Sequence, residues 1–149
     1  MKKITLLFII ILGAVSFGQS KTTGTVSLNN GVPITANFTL NSTTSQVTLI
    51  LTGPSDRWFG LGFGSQVAAG FGMNGTQNSG QADLLVFTTT TAPNLTDRWF
   101  NGTQTPPRDT QNWTTESNTV SGSTRTLTLT RTLTTTDNND LQMPYASTN

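Results

Sequence analysis

Three tryptophans, Trp58, Trp99 and Trp113, are the residues best suited to contact a ligand. An indole face stacks on a flat or ring-shaped molecule, and its N–H supplies one polar handle. Around the second and third lie hydrogen-bonding partners in sequence: Asp97 and Arg98 before Trp99, and Arg108, Asp109, Gln111 and Asn112 before Trp113. That grouping is chemistry for holding a sugar. A β-sandwich usually buries one tryptophan in its core. We assign that place to Trp58 and read Trp99 and Trp113, with Asp97 and Arg98, as the ligand side.

The missing residue types narrow the rest. The chain has no histidine and no cysteine. Ser-His-Asp and Cys-His catalysis therefore fail. So do histidine zinc sites, iron–sulfur clusters and covalent c-type haem. Seven carboxylates remain, which formally allows a glycosidase pair. None stands in a setting that suggests a raised pKa, and the chain reads as non-enzymatic. The run Asp137-Asn138-Asn139-Asp140 offers hard oxygens of the kind calcium takes. It lacks the glycine and distal glutamate of an EF-hand loop, so a solvated turn is the expectation. Asp83 and Arg131 each interrupt an apolar strand pattern. An Asp–Arg pair across the sandwich would explain both, with no direct role in function.

The elements that must position these residues are strands. Residues 57–64 read Arg-Trp-Phe-Gly-Leu-Gly-Phe-Gly. With period two, Phe59, Leu61 and Phe63 share one face, and Trp58, Gly60, Gly62 and Gly64 the other. The first is a core stripe. Glycine in a strand marks a close approach to backbone, by a flat ligand, by an aromatic from the facing sheet, or by Trp58 itself. Residues 46–52 alternate with Val47, Leu49 and Leu51 on one face. Residues 82–89 predict a central strand, whose unbroken apolar run Leu84 to Phe87 reads as buried on both faces. Residues 111–117 predict a strand carrying Trp113, with a turn at 118–123. Residues 125–134 alternate leucine with threonine, with Arg131 among the leucines. Threonine occurs 31 times, and its β-branch favours strands. No segment has a useful helical period. Short strands between turn signals predict an all-β antiparallel sandwich or barrel. Asp-Arg-Trp-Phe occurs at 56–59 and again at 97–100, too little to define a repeat architecture.

Residues 1–18 have the three-part pattern of a secretory signal peptide: Lys2 and Lys3, an apolar run from Ile4 to Val15, and small residues at Ser16 and Gly18. The run is short for a membrane span. Cleavage after Gly18 takes 18 of 149 residues and leaves a single domain over 19–149. Loss of two lysines leaves six basic and seven acidic residues, a net charge of −1. With no basic stripe, nucleic acid is not a partner. Cysteine-free export fits a bacterial protein at the cell surface, in the periplasm or in the medium. Six Asn-x-Ser/Thr sequons reflect an Asn/Thr-rich composition.

An ordered set of motifs resembles one family. The strand Trp58 to Gly64 is followed by a loop with Gly72-Met73-Asn74-Gly75. Next come the strand Ala82 to Phe87, the strand from Arg125 to Leu133, and Asp137 and Asp140. This order, over residues 44–145, resembles the DOMON domain family, named for N-terminal domains of dopamine β-monooxygenase and related to the cytochrome domain of cellobiose dehydrogenase. The resemblance implies an exported immunoglobulin-like β-sandwich that binds haem b or a sugar. Met73 matches the loop methionine that ligates haem iron in haem-binding members. The late-strand histidine that completes their ligand pair is absent, and Met143 is a possible substitute. The resemblance also implies further strands after the last ones seen, hence a chain shorter than its family pattern. An edge strand left unpaired in that way would favour self-association. The expected function is an exported, non-catalytic module for haem or carbohydrate. The alternative is a structural or adhesive sandwich with no small ligand.

Overall fold

A computed structural model describes residues 19–28, 31–64, 83–89, 94–100 and 105–145. The predicted signal peptide and the loop that carries Met73 lie outside the described residues. Among those described there is no helix, and nine strands form two antiparallel sheets. The predicted β-sandwich is the architecture found.

The larger sheet contains β1 (Ser20–Thr22), β2 (Val26–Ser27), β3 (Thr35–Asn41), β4 (Gln46–Pro54), β8 (Thr114–Ser121) and β9 (Thr124–Thr132). Its order is β1-β3-β4-β9-β8, with β2 also on β3. Strands β1 and β2 pair with opposite ends of β3 and act as one edge strand, broken at Gly24, whose φ is +65°. The smaller sheet is β5 (Phe59–Phe63), β6 (Asp83–Phe87) and β7 (Leu95–Trp99), in that order.

The core lies between the sheets, and period-two alternation builds it. On β4, Val47, Leu49 and Leu51 point inward. They stand opposite Arg131, Leu129 and Leu127 of β9. The smaller sheet contributes Phe59, Leu61, Leu85, Phe87 and Leu95. Phe59 meets Phe87 with ring centroids 5.4 Å apart. The other face of β6 is buried too, since Leu84 packs with Phe100 and Val86 in a second, small cluster. The expectation that β6 is central and buried on both faces holds.

Two details depart from expectation. The last hairpin has a shorter turn than predicted, and its first strand is shifted along the chain. Its first strand starts at Thr114, runs through Asn118 to Ser121, and turns only at Gly122-Ser123. Gly122 takes φ +59° there. The glycine of β5 also serves a plainer purpose than a ligand floor. A Cβ on Gly60 would sit 2.9 Å from the Leu85 carbonyl oxygen of the neighbouring strand. The close approach is backbone within its own sheet.

Candidate functional site

The residues singled out above fall into two environments, one buried between the sheets and one on the surface.

Arg131 anchors the buried one. Its position in β9 is an inward one, so its guanidinium enters the core. Nη1 donates to Asp83 Oδ2 at 3.0 Å and lies 3.6 Å from Asp140 Oδ2. Nη2 donates to the Leu141 carbonyl. The Trp113 ring lies over the guanidinium, 4.9 Å from ring centroid to Cζ. The expected Asp83–Arg131 pair is therefore present, and it joins the start of β6 to the end of β9.

Two more carboxylates share this space. Asp97, in the middle of β7, and Asp140, in the stretch after β9, are each 1% exposed, as is Asp83. The expectation of a solvated turn at 137–140 is corrected: Asp140 is buried because it faces Arg131. The segment Gln111–Trp113 stitches the group together. Gln111 Oε1 accepts from the Asp97 backbone N–H at 3.0 Å, and Gln111 Nε2 donates to the Trp113 carbonyl. The Asn112 N–H donates to Asp97 Oδ2 at 3.2 Å, and Asn112 Nδ2 donates to Asp140 Oδ2 at 2.7 Å. Burial pushes the Asp97 carboxyl up to about 8, and repulsion from Asp83 adds to that. Burial also pushes Asp83 up to about 6, against the pull of Arg131. Three carboxylates crowd one guanidinium, so a proton on Asp97 is the cheaper state at neutral pH. The sequence reading that no carboxylate has a raised pKa is corrected on this point.

The tryptophans exchange roles relative to expectation. Trp113 is 3% exposed and belongs to the main core, edge-on to Phe63 at 6.2 Å. It comes just before β8, where the chain passes between the sheets. Trp58 is 66% exposed. Strand alternation placed it opposite the Phe59 core face, and among the described residues nothing packs over it there. Trp99 is half-buried at the end of β7. Arg98 is half-buried and committed locally: Nε donates to Thr96 Oγ1, and Nη1 to the Pro106 carbonyl. The structure therefore does not gather Trp58, Trp99 and Trp113 into one site. Phe59 pairs with Phe87 and Phe87 with Leu95, whereas Trp99 pairs with Asp83 and Asp83 with Phe63. Trp58 and Trp99 thus sit at opposite ends of the small sheet, roughly 17 Å apart along the strands.

The surface environment surrounds Trp58. A hollow of about 340 Å³ is lined by Val32, Ile34, Arg57, Trp58, Phe59 and Gly60. Beside it, Arg57 and Asp56 form a bidentate exposed pair, Nε to Oδ1 at 3.0 Å and Nη2 to Oδ2 at 2.9 Å. Met143 and Tyr145, each with a side chain that can ligate haem iron, pack against the main core. The Tyr145 ring lies under Lys21 Nζ. No described helix is long and apolar enough to cross a membrane.

A family model described as DOMON domain matches residues 32–148. No curated protein and no solved structure matches the chain.

Proposed function

Because the chain belongs to the DOMON domain family, we propose that it is an exported, non-catalytic module that binds a carbohydrate through the surface around Trp58. The exposure of Trp58 beside an apolar hollow carries this reading. A pyranose ring presents a face of C–H bonds that packs on an indole. Its hydroxyls need donors and acceptors at the rim. Arg57 supplies the donors and Asp56 the acceptors, and their mutual pairing holds both in one plane. Trp58 is not a lone exposed ring: it shares an apolar hollow with Val32, Ile34 and Phe59, and a contiguous apolar surface with a polar rim is what marks a ligand groove. Export rests on the pattern of residues 1–18.

Haem is the weaker ligand. The chain has no histidine to complete an axial pair with Met73, and Met143 packs against the core.

Titration of intrinsic tryptophan fluorescence with soluble neutral glycans tests the proposal, run on the mature chain and on Trp58→Ala. Saturable binding by the first and at least tenfold weaker binding by the second is the expected result. A chain that binds no glycan, yet holds haem with a sharp Soret band after excess is removed, would overturn it. Binding of neither ligand would leave the structural or adhesive role as the reading to pursue.

A further inference from the structure

We propose that Asp83, Asp97 and Asp140 hold one divalent cation between the two sheets, with calcium the best match. The clustering of three acidic side chains is one observation. The second is how their oxygens are used. In each carboxylate, one oxygen takes every donor and the other takes none. Arg131 Nη1 and the Leu141 N–H both go to Asp83 Oδ2. Arg131 and Asn112 both go to Asp140 Oδ2. The Asn112 N–H goes to Asp97 Oδ2. Asp83 Oδ1, Asp97 Oδ1 and Asp140 Oδ1 are buried with no hydrogen-bond partner. Three buried acceptors without a donor are costly, and a cation bound among these carboxylates would offset that cost.

Charge and distance fit the same occupant. Ligation of a metal requires all three carboxylates ionised, Asp97 giving up its proton, and three carboxylates with one guanidinium then leave two negative charges in a buried region. Arg131 is ion-paired with Asp83 and Asp140, and Asp97 accepts only an uncharged amide. A divalent ion brings the group to neutrality. One ligand oxygen from each residue lies within 4.8 Å of the others. Two oxygens on one calcium, each about 2.4 Å from it, stand at most roughly 4.8 Å apart, so calcium can span such a set; calcium also accepts irregular coordination, whereas magnesium demands near-ideal octahedral geometry and keeps several waters. With neither histidine nor cysteine in the chain, a softer metal has no preferred ligand. Three carboxylates are about half of calcium's usual six to eight oxygens, so water or backbone carbonyls complete the shell.

Trp113 supplies a local reporter, since its ring stands over Arg131, the partner of two of the three ligands. Terbium, a calcium mimic, emits when a nearby tryptophan is excited. The mature chain should show saturable sensitised terbium emission that calcium displaces. Asp97→Asn keeps the side-chain shape and removes one ligand charge, and should weaken terbium binding at least tenfold. Asp140→Asn should do the same. In a parallel thermal melt, calcium in large excess should raise the midpoint of the unmodified chain by on the order of 5–10 °C and that of Asp97→Asn by far less. Absent emission together with an unmoved midpoint would overturn the proposal. So would emission that calcium fails to displace, or that persists undiminished in both variants.

Discussion

The four residues Asp-Arg-Trp-Phe occur twice in this chain and adopt two unlike settings. At 56–59 the run straddles the start of β5. Asp56 and Arg57 bend through solvent and pair with each other, Trp58 stands exposed, and only Phe59 enters the core. At 97–100 the run begins inside β7. Asp97 is buried, Arg98 is tied to neighbouring backbone and Thr96, Trp99 is half-covered and Phe100 is buried. Identical letters thus give a surface rim in one place and a part of the interior in the other. The difference comes from where the strand starts, and from what faces it. For Asp97 that is the stretch Gln111–Asn112, whose amides meet both its backbone and its carboxylate. Only the phenylalanine has the same role in both, because a large apolar ring finds the interior from either setting.

The contrast is sharpest at the charges. Arg131→Met leaves the carboxylates around Asp97 with no cation from the protein, and the loss expected on breaking a buried pair is about 3–5 kcal/mol in urea unfolding. Arg57→Met, at the exposed copy, should leave the urea midpoint where it is. Equal losses for the two variants would break the distinction. At the shared position, Phe59→Ala should cost about 3–5 kcal/mol, since Phe59 packs in the main core against Phe87. Phe100→Ala should cost less, because it belongs to the small cluster with Leu84 and Val86.

A smaller effect is expected from pH. The folded chain holds protons on Asp97 up to about pH 8 and on Asp83 up to about pH 6, whereas the unfolded chain releases them near the ordinary carboxylate value of about 4. The unfolded state then binds fewer protons across that window, so stability falls as pH rises from about 4 to 8. Urea midpoints in chelator-containing buffer should show this slope, and Asp97→Asn should flatten it. A slope of the opposite sign would mean that these carboxylates are ionised in the folded chain. The smallest expected change is Trp58→Ala, within about 0.5 kcal/mol of the parent in stability.

Strand periodicity made the core readable in advance. Val47, Leu49 and Leu51, and Leu127, Leu129 and Leu133, lie buried where their alternation puts them. The break in that alternation at Arg131 pointed correctly to a carboxylate partner in Asp83. Asp140 was not legible, because Asp137-Asn138-Asn139-Asp140 is composed like a solvated turn and its burial comes from a partner on β9. Asn112 was visible only as one polar residue among several. The two tryptophans were exchanged for a related reason. Face alternation correctly set Trp58 opposite Phe59, but it does not say whether a second layer covers that face. Trp113 lies in an irregular stretch with no period to read.

The latch between the sheets is drawn from distant parts of the chain. Arg131 lies 48 positions beyond Asp83, and the Leu141 N–H that also meets Asp83 lies 58 beyond it. A polypeptide delivered N-terminus first presents β6 and β7 well before the residues that neutralise them. Until then Asp83 and Asp97 are charged, hydrated side chains on two strands that cannot yet pack. Such a sandwich is expected to fold slowly, after most of it has been delivered. If the chain is exported as proposed, the same delay keeps it loose enough to be threaded through a narrow passage, with closure reserved for the far side.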